Sequence, residues 1–158
     1  MAKRKIDNEE RNQGYVTLPG KPTGNTNGVN NRFTSEQKLN MTLTSEQQEV
    51  AVGLMLNDGS LTKGRDGTSL DFDQSATKNV GYFLHVLTIY FDLLASMSSL
   101  NSHWHNIYSK YTYSWKLHTP QLPCLNWLYF LFYDETGKRR IHPDIVQHIT
   151  PCVLAHWI

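Results

Sequence analysis

Thr44-Ser45-Glu46-Gln47-Gln48-Glu49-Val50-Ala51-Val52-Gly53-Leu54-Met55-Leu56-Asn57-Asp58-Gly59-Ser60 is the stretch on which the reading of this chain turns. It opens as a helix does. Thr44 or Ser45 can cap, and Glu46 and Glu49 put carboxylates in or near the positive first turn. Val50 to Leu56 then carry no polar side chain. A surface helix shows polar positions every three or four residues, so this one is buried on more than one side. Gly53 sits mid-run, where glycine costs roughly 1 kcal/mol relative to alanine. Close backbone approach by a second helix is the return expected on that cost. Gly59 fits the left-handed residue that follows a last turn. Asp58 is a carboxylate at the negative end of a buried helix, unfavourable unless a metal cation or a protonated partner sits there.

Working outward, Ser60 to Arg65 and Ser69 to Ser75 read as two strands around Asp66-Gly67, a hairpin turn signal. In the second strand Leu70, Phe72 and Gln74 share the inward face, and Ser69, Asp71, Asp73 and Ser75 the outward one. Thr77 to Met97 reads as a long helix with an apolar stripe at Val80, Phe83, Leu84, Leu87, Tyr90, Phe91 and Leu94. Trp104–Tyr108 and Thr112–Thr119 read as a second strand pair. There Tyr113, Trp115 and Leu117 point inward, and Ser114, Lys116 and His118 outward. Gln121 to Tyr133 reads as a helix with Pro123 in its first turn, Asp134 to Gly137 as a loop, and Pro143 to Ile149 as a short helix. Thr150-Pro151 opens a last helix through Ile158. The order is that of an α+β domain.

The chain has 158 residues, 39% hydrophobic and 11% aromatic, enough for one domain with a core. Cys124 and Cys152 form neither a disulfide framework nor a zinc spacing and read as free thiols. His103 and His105 share one strand face without a cysteine at ligand spacing, which excludes zinc. No secretory leader follows Met1, and the longest apolar run, Tyr82 to Ala95, is too short and polar to cross a membrane. Residues 1–43 are rich in Asn, Gly, Thr, Lys and Gln, carry a net charge of +3, and are expected to be a disordered polar extension. Residues 44–158 carry −2, so the basic balance usual for a nucleic-acid binder is absent. Gly14 to Lys21 is not a phosphate loop: its spacing is one residue too long, and Pro22 stands where Ser or Thr must ligate magnesium.

Ala51 to Gly59 resembles the nine-residue motif that names the LAGLIDADG homing endonucleases. Gly53, Leu54, Asp58 and Gly59 match as they stand, with apolar replacements at Val52 and Met55. Further runs are similar to the organellar members with two motifs: Leu70 to Ser75 with Lys78 and Tyr82-Phe83-Leu84; Tyr113-Ser114-Trp115-Lys116; Leu122 to Asn126 with Leu128-Tyr129 and Leu131 to Tyr133; and Gly137 to Ile141 with Pro143, Thr150-Pro151 and Leu154 to Trp157. The resemblance covers residues 44 to 158 and is to the N-terminal half of such a protein. It implies a half-domain over 44–149, the start of a second motif helix over 150–158, and an αββαββα fold whose saddle-shaped antiparallel sheet lies in the DNA major groove.

The resemblance also implies a site. In that family each of two motif helices ends in an acidic residue that binds a divalent cation, in the logic of two-metal phosphodiester hydrolysis. On this chain it makes Asp58 the metal ligand, with Mg2+ as cofactor, and Gln74 a residue that orders water near the phosphate. Where such members place a lysine, Arg140 stands here, with Lys138 two residues earlier. An arginine holds a phosphate but does not shuttle protons. His142 replaces an apolar residue before Pro143. Lys63, Arg65, Lys116 and His118 on the strands, with Lys138 and Arg139, form the expected DNA-facing set. The implied function is double-strand DNA cleavage that spreads a mobile intron, in a mitochondrial setting. The alternatives are an RNA maturase that binds its own intron, or an inactive truncated remnant. The second acidic residue is expected from another LAGLIDADG half or from a homodimer. Leu154, Trp157 and Ile158 are expected to form an exposed apolar end.

Overall fold

The structure is a computed structural model that describes residues 33–95 and 98–158. Helix α1 spans Ser35–Asn40 and α2 spans Ser45–Leu56. Each begins with the same words, Thr-Ser-Glu-Gln, and each folds them into the same capping box. Thr34 Oγ1 accepts from Gln37 N and Gln37 Oε1 from Thr34 N, and Thr44 with Gln47 repeats the exchange. The box satisfies two backbone donors that a helix start leaves open. Helix α1 lies within the segment expected to be disordered; residues 1–32 of that segment lie outside the described residues.

The sheet is four-stranded, antiparallel and ordered β1-β2-β4-β3, with β1 at Ser60–Lys63, β2 at Thr68–Ser75, β3 at Ser99–His105 and β4 at Lys110–His118. Between the strand pairs runs α3, Val80–Tyr90, and after β4 comes α4, Asn126–Phe132. The chain closes with α5, Pro151–Trp157, capped by Thr150 Oγ1 on Val153 N. Strand alternation decides which face is covered. Leu61, Leu70, Phe72 and Leu117 point inward and pack with Val50, Leu54, Phe83, Val86, Leu125 and Leu128 in one core. Each such side chain contributes about 1.5–3 kcal/mol on burial. Phe72 stacks on Phe83 at 6.2 Å and meets Tyr82 edge-on at 5.9 Å. The opposite face carries Asp73, Thr112, Asn101 and His118, all exposed, and none of the described helices covers it.

Several boundaries differ from the pattern reading, each for a local reason. The β1–β2 connection takes Gly64 to Gly67, and Gly64 N–H donates to Gly67 O at 2.8 Å, so Arg65 lies in the loop. Gly67 has φ +144°, and a Cβ there would lie 2.5 Å from the Leu122 carbonyl carbon. Helix α3 is shorter than the expected 77–97 and tightens into a 3-10 turn at Phe91–Leu93, because Asp92 is drawn to Gln47. Helix α4 begins late, after a 3-10 turn at Pro123–Leu125. Pro143–His148 is likewise a 3-10 segment. Strand β3 starts at Ser99 rather than Trp104, because β4 offers it partners as far as Lys116. Gly59 is not left-handed. Its N–H donates to Leu54 O at 2.7 Å, and a Cβ would lie 2.9 Å from that carbonyl, so close approach explains the glycine.

Beyond the helices' reach the inward face of the β3–β4 hairpin is bare. Tyr113 is 49% exposed rather than core, alongside Tyr111, Trp104 and Leu100. Leu84, expected on the buried stripe of α3, is also exposed, and Val86 takes the inward position.

Helix α2 is enclosed on several sides, as its unbroken apolar run requires; Val50 to Met55 are all buried. Gln47 fixes its first turn: Nε2 donates to Ile89 O at 2.9 Å and Asp92 Oδ1 at 2.8 Å, while the Tyr90 hydroxyl donates to Gln47 O at 2.6 Å. The second helix that Gly53 called for is α5. A Cβ on Gly53 would lie 2.6 Å from His156 Cβ and 2.8 Å from Val153 O.

Candidate functional site at the end of helix α2

Asp58 stands two residues past the end of α2, exposed, where the helix presents its negative end. Two arrangements answer that charge. The Arg139 guanidinium arrives from the segment after α4 and donates to Met55 O and, at 3.2 Å, to Gly59 O. It satisfies carbonyls that the last turn leaves open. On the other side Gln74 Nε2 donates to Asp58 Oδ2 at 2.9 Å. Asn79 Nδ2 in turn donates to Gln74 Oε1 at 2.9 Å. With its oxygen taken by Asn79, the Gln74 amide can offer only its NH2 to Asp58, so the chain Asn79–Gln74–Asp58 fixes the amide's sense and the carboxylate's orientation.

Asn79 is also the N-cap residue of α3, and its side chain makes no cap bond there. An asparagine cap is worth about 1 kcal/mol. Here the side chain is directed to the site instead of to the helix it precedes.

Asp58, Gln74 and Asn79 wall a polar cavity of about 240 Å³ together with Asn57, Tyr82 and His156. The Tyr82 hydroxyl is 2.9 Å from His156 Nδ1. Burial first, and then the nearby Asp58 charge, push the Tyr82 hydroxyl's pKa up, so it stays protonated beside His156. Burial, and then the neighbouring His85, hold the His156 imidazole below its usual value, with Glu46 acting in the opposite sense. His85 and His156 stack in parallel at 5.7 Å.

A divalent cation suits this donor chemistry. Magnesium prefers hard oxygen ligands, keeps several waters and is held by one or two carboxylates plus substrate phosphate. Among the described residues no group of three or more His, Cys, Asp or Glu gathers to cage a metal. One aligned carboxylate in an open polar pocket fits half of a shared ion site, to be completed by a second carboxylate and a phosphate.

The structure therefore brings Asp58 and Gln74 together, as expected, and distributes the other anticipated residues differently. Arg140 does not line the cavity; its backbone N–H donates to Phe132 O at 2.8 Å, and its charge is felt at Asp134. Arg139, one residue earlier, is the cation that reaches the α2 end. Lys63 falls on the helix-covered side, its ammonium 4.5 Å from the Phe130 ring centroid. Lys138 belongs to the turn that Asp134 organises: Asp134 Oδ1 accepts from Thr136 N, Thr136 Oγ1 and Lys138 N. Those bonds hold the Asp134 carboxyl below the usual carboxylate range. Lys116 and His118 lie on the open sheet face as anticipated, both against Asp71. Asn79, Tyr82, His156 and Asp71 were not singled out in the sequence. For Asn79 the signal was available, since an asparagine before an apolar helical run is normally a cap.

Two comparisons complete the description. The profile of the LAGLIDADG DNA endonuclease family matches residues 48–158. Among solved structures the homing endonuclease I-WcaI bound to its DNA recognition sequence is similar, with a TM-score of 0.66 at 25% identity over 74% of this chain and 51% of its own. The chain thus spans about half the length of that protein.

Proposed function

The chain belongs to the LAGLIDADG DNA endonuclease family, and from that premise we propose that it forms one half of a magnesium-dependent homing endonuclease that hydrolyses both strands of DNA. The observation that carries the reading is the Asp58 carboxylate, aligned by Gln74 and Asn79 over a polar cavity, at the end of a helix that packs a second helix against Gly53. Asp58 is the carboxylate that would hold the cation. When bound, the cation's contribution is to polarise a phosphate oxygen and lower the pKa of a nearby water. The residues of this chain orient and exclude. Gln74 and Asn79 hold the carboxylate's angle, Arg139 neutralises the helix end beside it, and Tyr82 with His156 closes the wall on the α5 side.

The second carboxylate comes from a partner half. A second half that packs its own motif helix on the Gly53 face of α2, identical to this one or not, requires α5 to leave that face first. DNA lies against the open sheet face, where Lys116 and His118 stand among Asp71, Asp73, Ser114 and Asn101. An intron-encoded origin and a mitochondrial setting go with this reading.

The test is cleavage of a plasmid library carrying random duplex inserts, by the chain co-expressed with a partner half, in the presence of Mg2+. Asp58→Asn should remove at least 100-fold of the cutting, as loss of a charged ligand to a catalytic ion does. Equal cutting by the variant would end the proposal. One observation favours a second reading, the binding of intron RNA: Trp104, Tyr111 and Tyr113 form an exposed aromatic row, the surface on which unpaired bases stack. Quenching of Trp104 emission by single-stranded RNA, without DNA cutting, would support that reading against the first.

A further inference from the structure

On the open face the carboxylate of Asp71 lies between two side chains of the neighbouring strand. Asp71 Oδ1 is 2.5 Å from His118 Nδ1 and 3.6 Å from Lys116 Nζ. The strand register sets this up, with Asp71 directly opposite His118 and Asp73 opposite Lys116 in the two central strands. Asp71 is largely shielded, with its side chain 15% exposed, whereas His118 is 56% exposed. The small Ser60 stands opposite Asp71 on β1, so no other charged group from that strand faces the pair.

An ionised carboxylate only accepts hydrogen bonds. His118 Nδ1 must therefore carry the proton, and the tautomer of the neutral ring is decided by Asp71. In the neutral ring Nε2, on the far side from Asp71, is then a bare acceptor on a side chain that is 56% exposed. In the major groove an acceptor meets the exocyclic amino groups, N6 of adenine or N4 of cytosine, and is repelled by the acceptors of guanine and thymine.

We propose that His118 is a specificity-determining residue that reads an adenine or cytosine amino group through Nε2, and that Asp71 is the positioning residue that fixes this reading. The proposal rests on the sheet's open face meeting DNA, as in the proposed function. Asp71→Asn provides the sharp test. Its amide can accept from Nδ1 as well as donate to it, so the ring is no longer held to one tautomer and the outward atom can become a donor. The preference for adenine or cytosine at one position should then relax to admit guanine or thymine, with the remaining positions kept.

The experiment is selection from a randomised duplex DNA library with the full chain, its Asp71→Asn variant and its His118→Ala variant, each co-expressed with the partner half used in the cleavage test. Folding of the variants is monitored by thermal denaturation. The wild-type chain should enrich a site with adenine or cytosine at one position. His118→Ala should lose about 5- to 100-fold of the discrimination at that position alone, and Asp71→Asn should relax it there while leaving the other positions unchanged. A site whose positions are all unmoved by both variants overturns this proposal while leaving DNA recognition standing. No enriched site at all overturns the proposed function and this inference with it. A long-range 1H–15N spectrum of the wild-type chain at neutral pH gives an independent reading: a His118 ring that carries a proton on Nε2, whether neutral or as the imidazolium, would also overturn it, whatever the variants' stability.

Discussion

Gly53→Ala puts the packing of α5 on α2 to a direct test. The new Cβ would lie 2.6 Å from His156 Cβ and 2.8 Å from Val153 O. One of these is a backbone oxygen and the other a Cβ, so no rotamer change relieves the contact, and α5 has to move away. Overpacking of this kind costs about 1–3 kcal/mol, and the rigid neighbours place it at the upper end. Against this stands the helix propensity gained by replacing glycine, about 1 kcal/mol. The net is about 2 kcal/mol of destabilisation, a fall of roughly 8 °C in Tm for a domain of this size. Gly81→Ala is the control. Gly81 is also helical, but its Cβ would meet nothing within 4 Å, so only the propensity gain of up to about 1 kcal/mol remains. The two substitutions, chemically identical, should move Tm in opposite directions. Amide exchange at Val153 to Trp157 should accelerate in the first variant only. If Gly53→Ala were as stable as Gly81→Ala, the close approach of the two helices would be refuted.

Other outcomes follow from the same geometry. Asn79→Ala should lower cleavage by about 10- to 100-fold, as removal of a group that orients a metal ligand does, while stability stays nearly unchanged because Asn79 makes no cap bond; a matching fall in Tm would mean the residue serves the helix. Asp58→Asn, with its loss of cutting, should raise stability by about 0.3–1 kcal/mol by removing a negative charge from a helix C-terminus, read by urea denaturation. Arg139→Lys should lose roughly 1–3 kcal/mol, since an ammonium cannot reproduce the fork that reaches two carbonyls; unchanged stability would show that the end of α2 is held by other contacts. His156 titrates below its usual value of 6.5 in the folded chain. The unfolded chain therefore takes up the proton first, so this contribution to stability is complete above about pH 6.5 and is lost as the pH falls towards the lowered folded value. His156→Gln should flatten that acid limb in a series of denaturation curves.

Much of the fold could be read from residue order alone because burial leaves a periodic trace. The unbroken apolar run Val50 to Leu56 announced a helix enclosed on several sides, and the alternation at Leu70, Phe72 and Gln74 gave the inward face of β2. What failed did so where a distant residue overrides local preference. Tyr113 alternates like a core residue, yet no helix extends far enough to cover it. Lys63 sits among outward-looking polar neighbours, but one residue of register turns it towards Phe130. The end of α3 depends on Gln47, and Leu122, just ahead of α4, is held by its pairing with Thr68; both partners are far away in sequence. Of the site, Asp58 and Gln74 were legible through a family resemblance. Asn79 was masked by its ordinary role as a cap, and Asp71, read only as outward, meets His118 through a strand register that residue order does not reveal. The start of α1 was legible after all, since Thr34 to Gln37 repeats Thr44 to Gln47 letter for letter.

Helix α2 is held at both ends by partners that never touch each other. Gln47 locks its first turn to the end of α3, and Arg139 grips its last carbonyls. The helix is twelve residues long, a rod about 18 Å from end to end. Such a rod behaves as a lever. A tilt of about 3° at the Gln47 end displaces the far end by about 1 Å, and a misplacement of that size is enough to cost about 100-fold in rate. Asp92 and Tyr90 thereby set the aim of the Asp58 carboxylate, and drift at that anchor would move it while every residue around the cavity stayed intact.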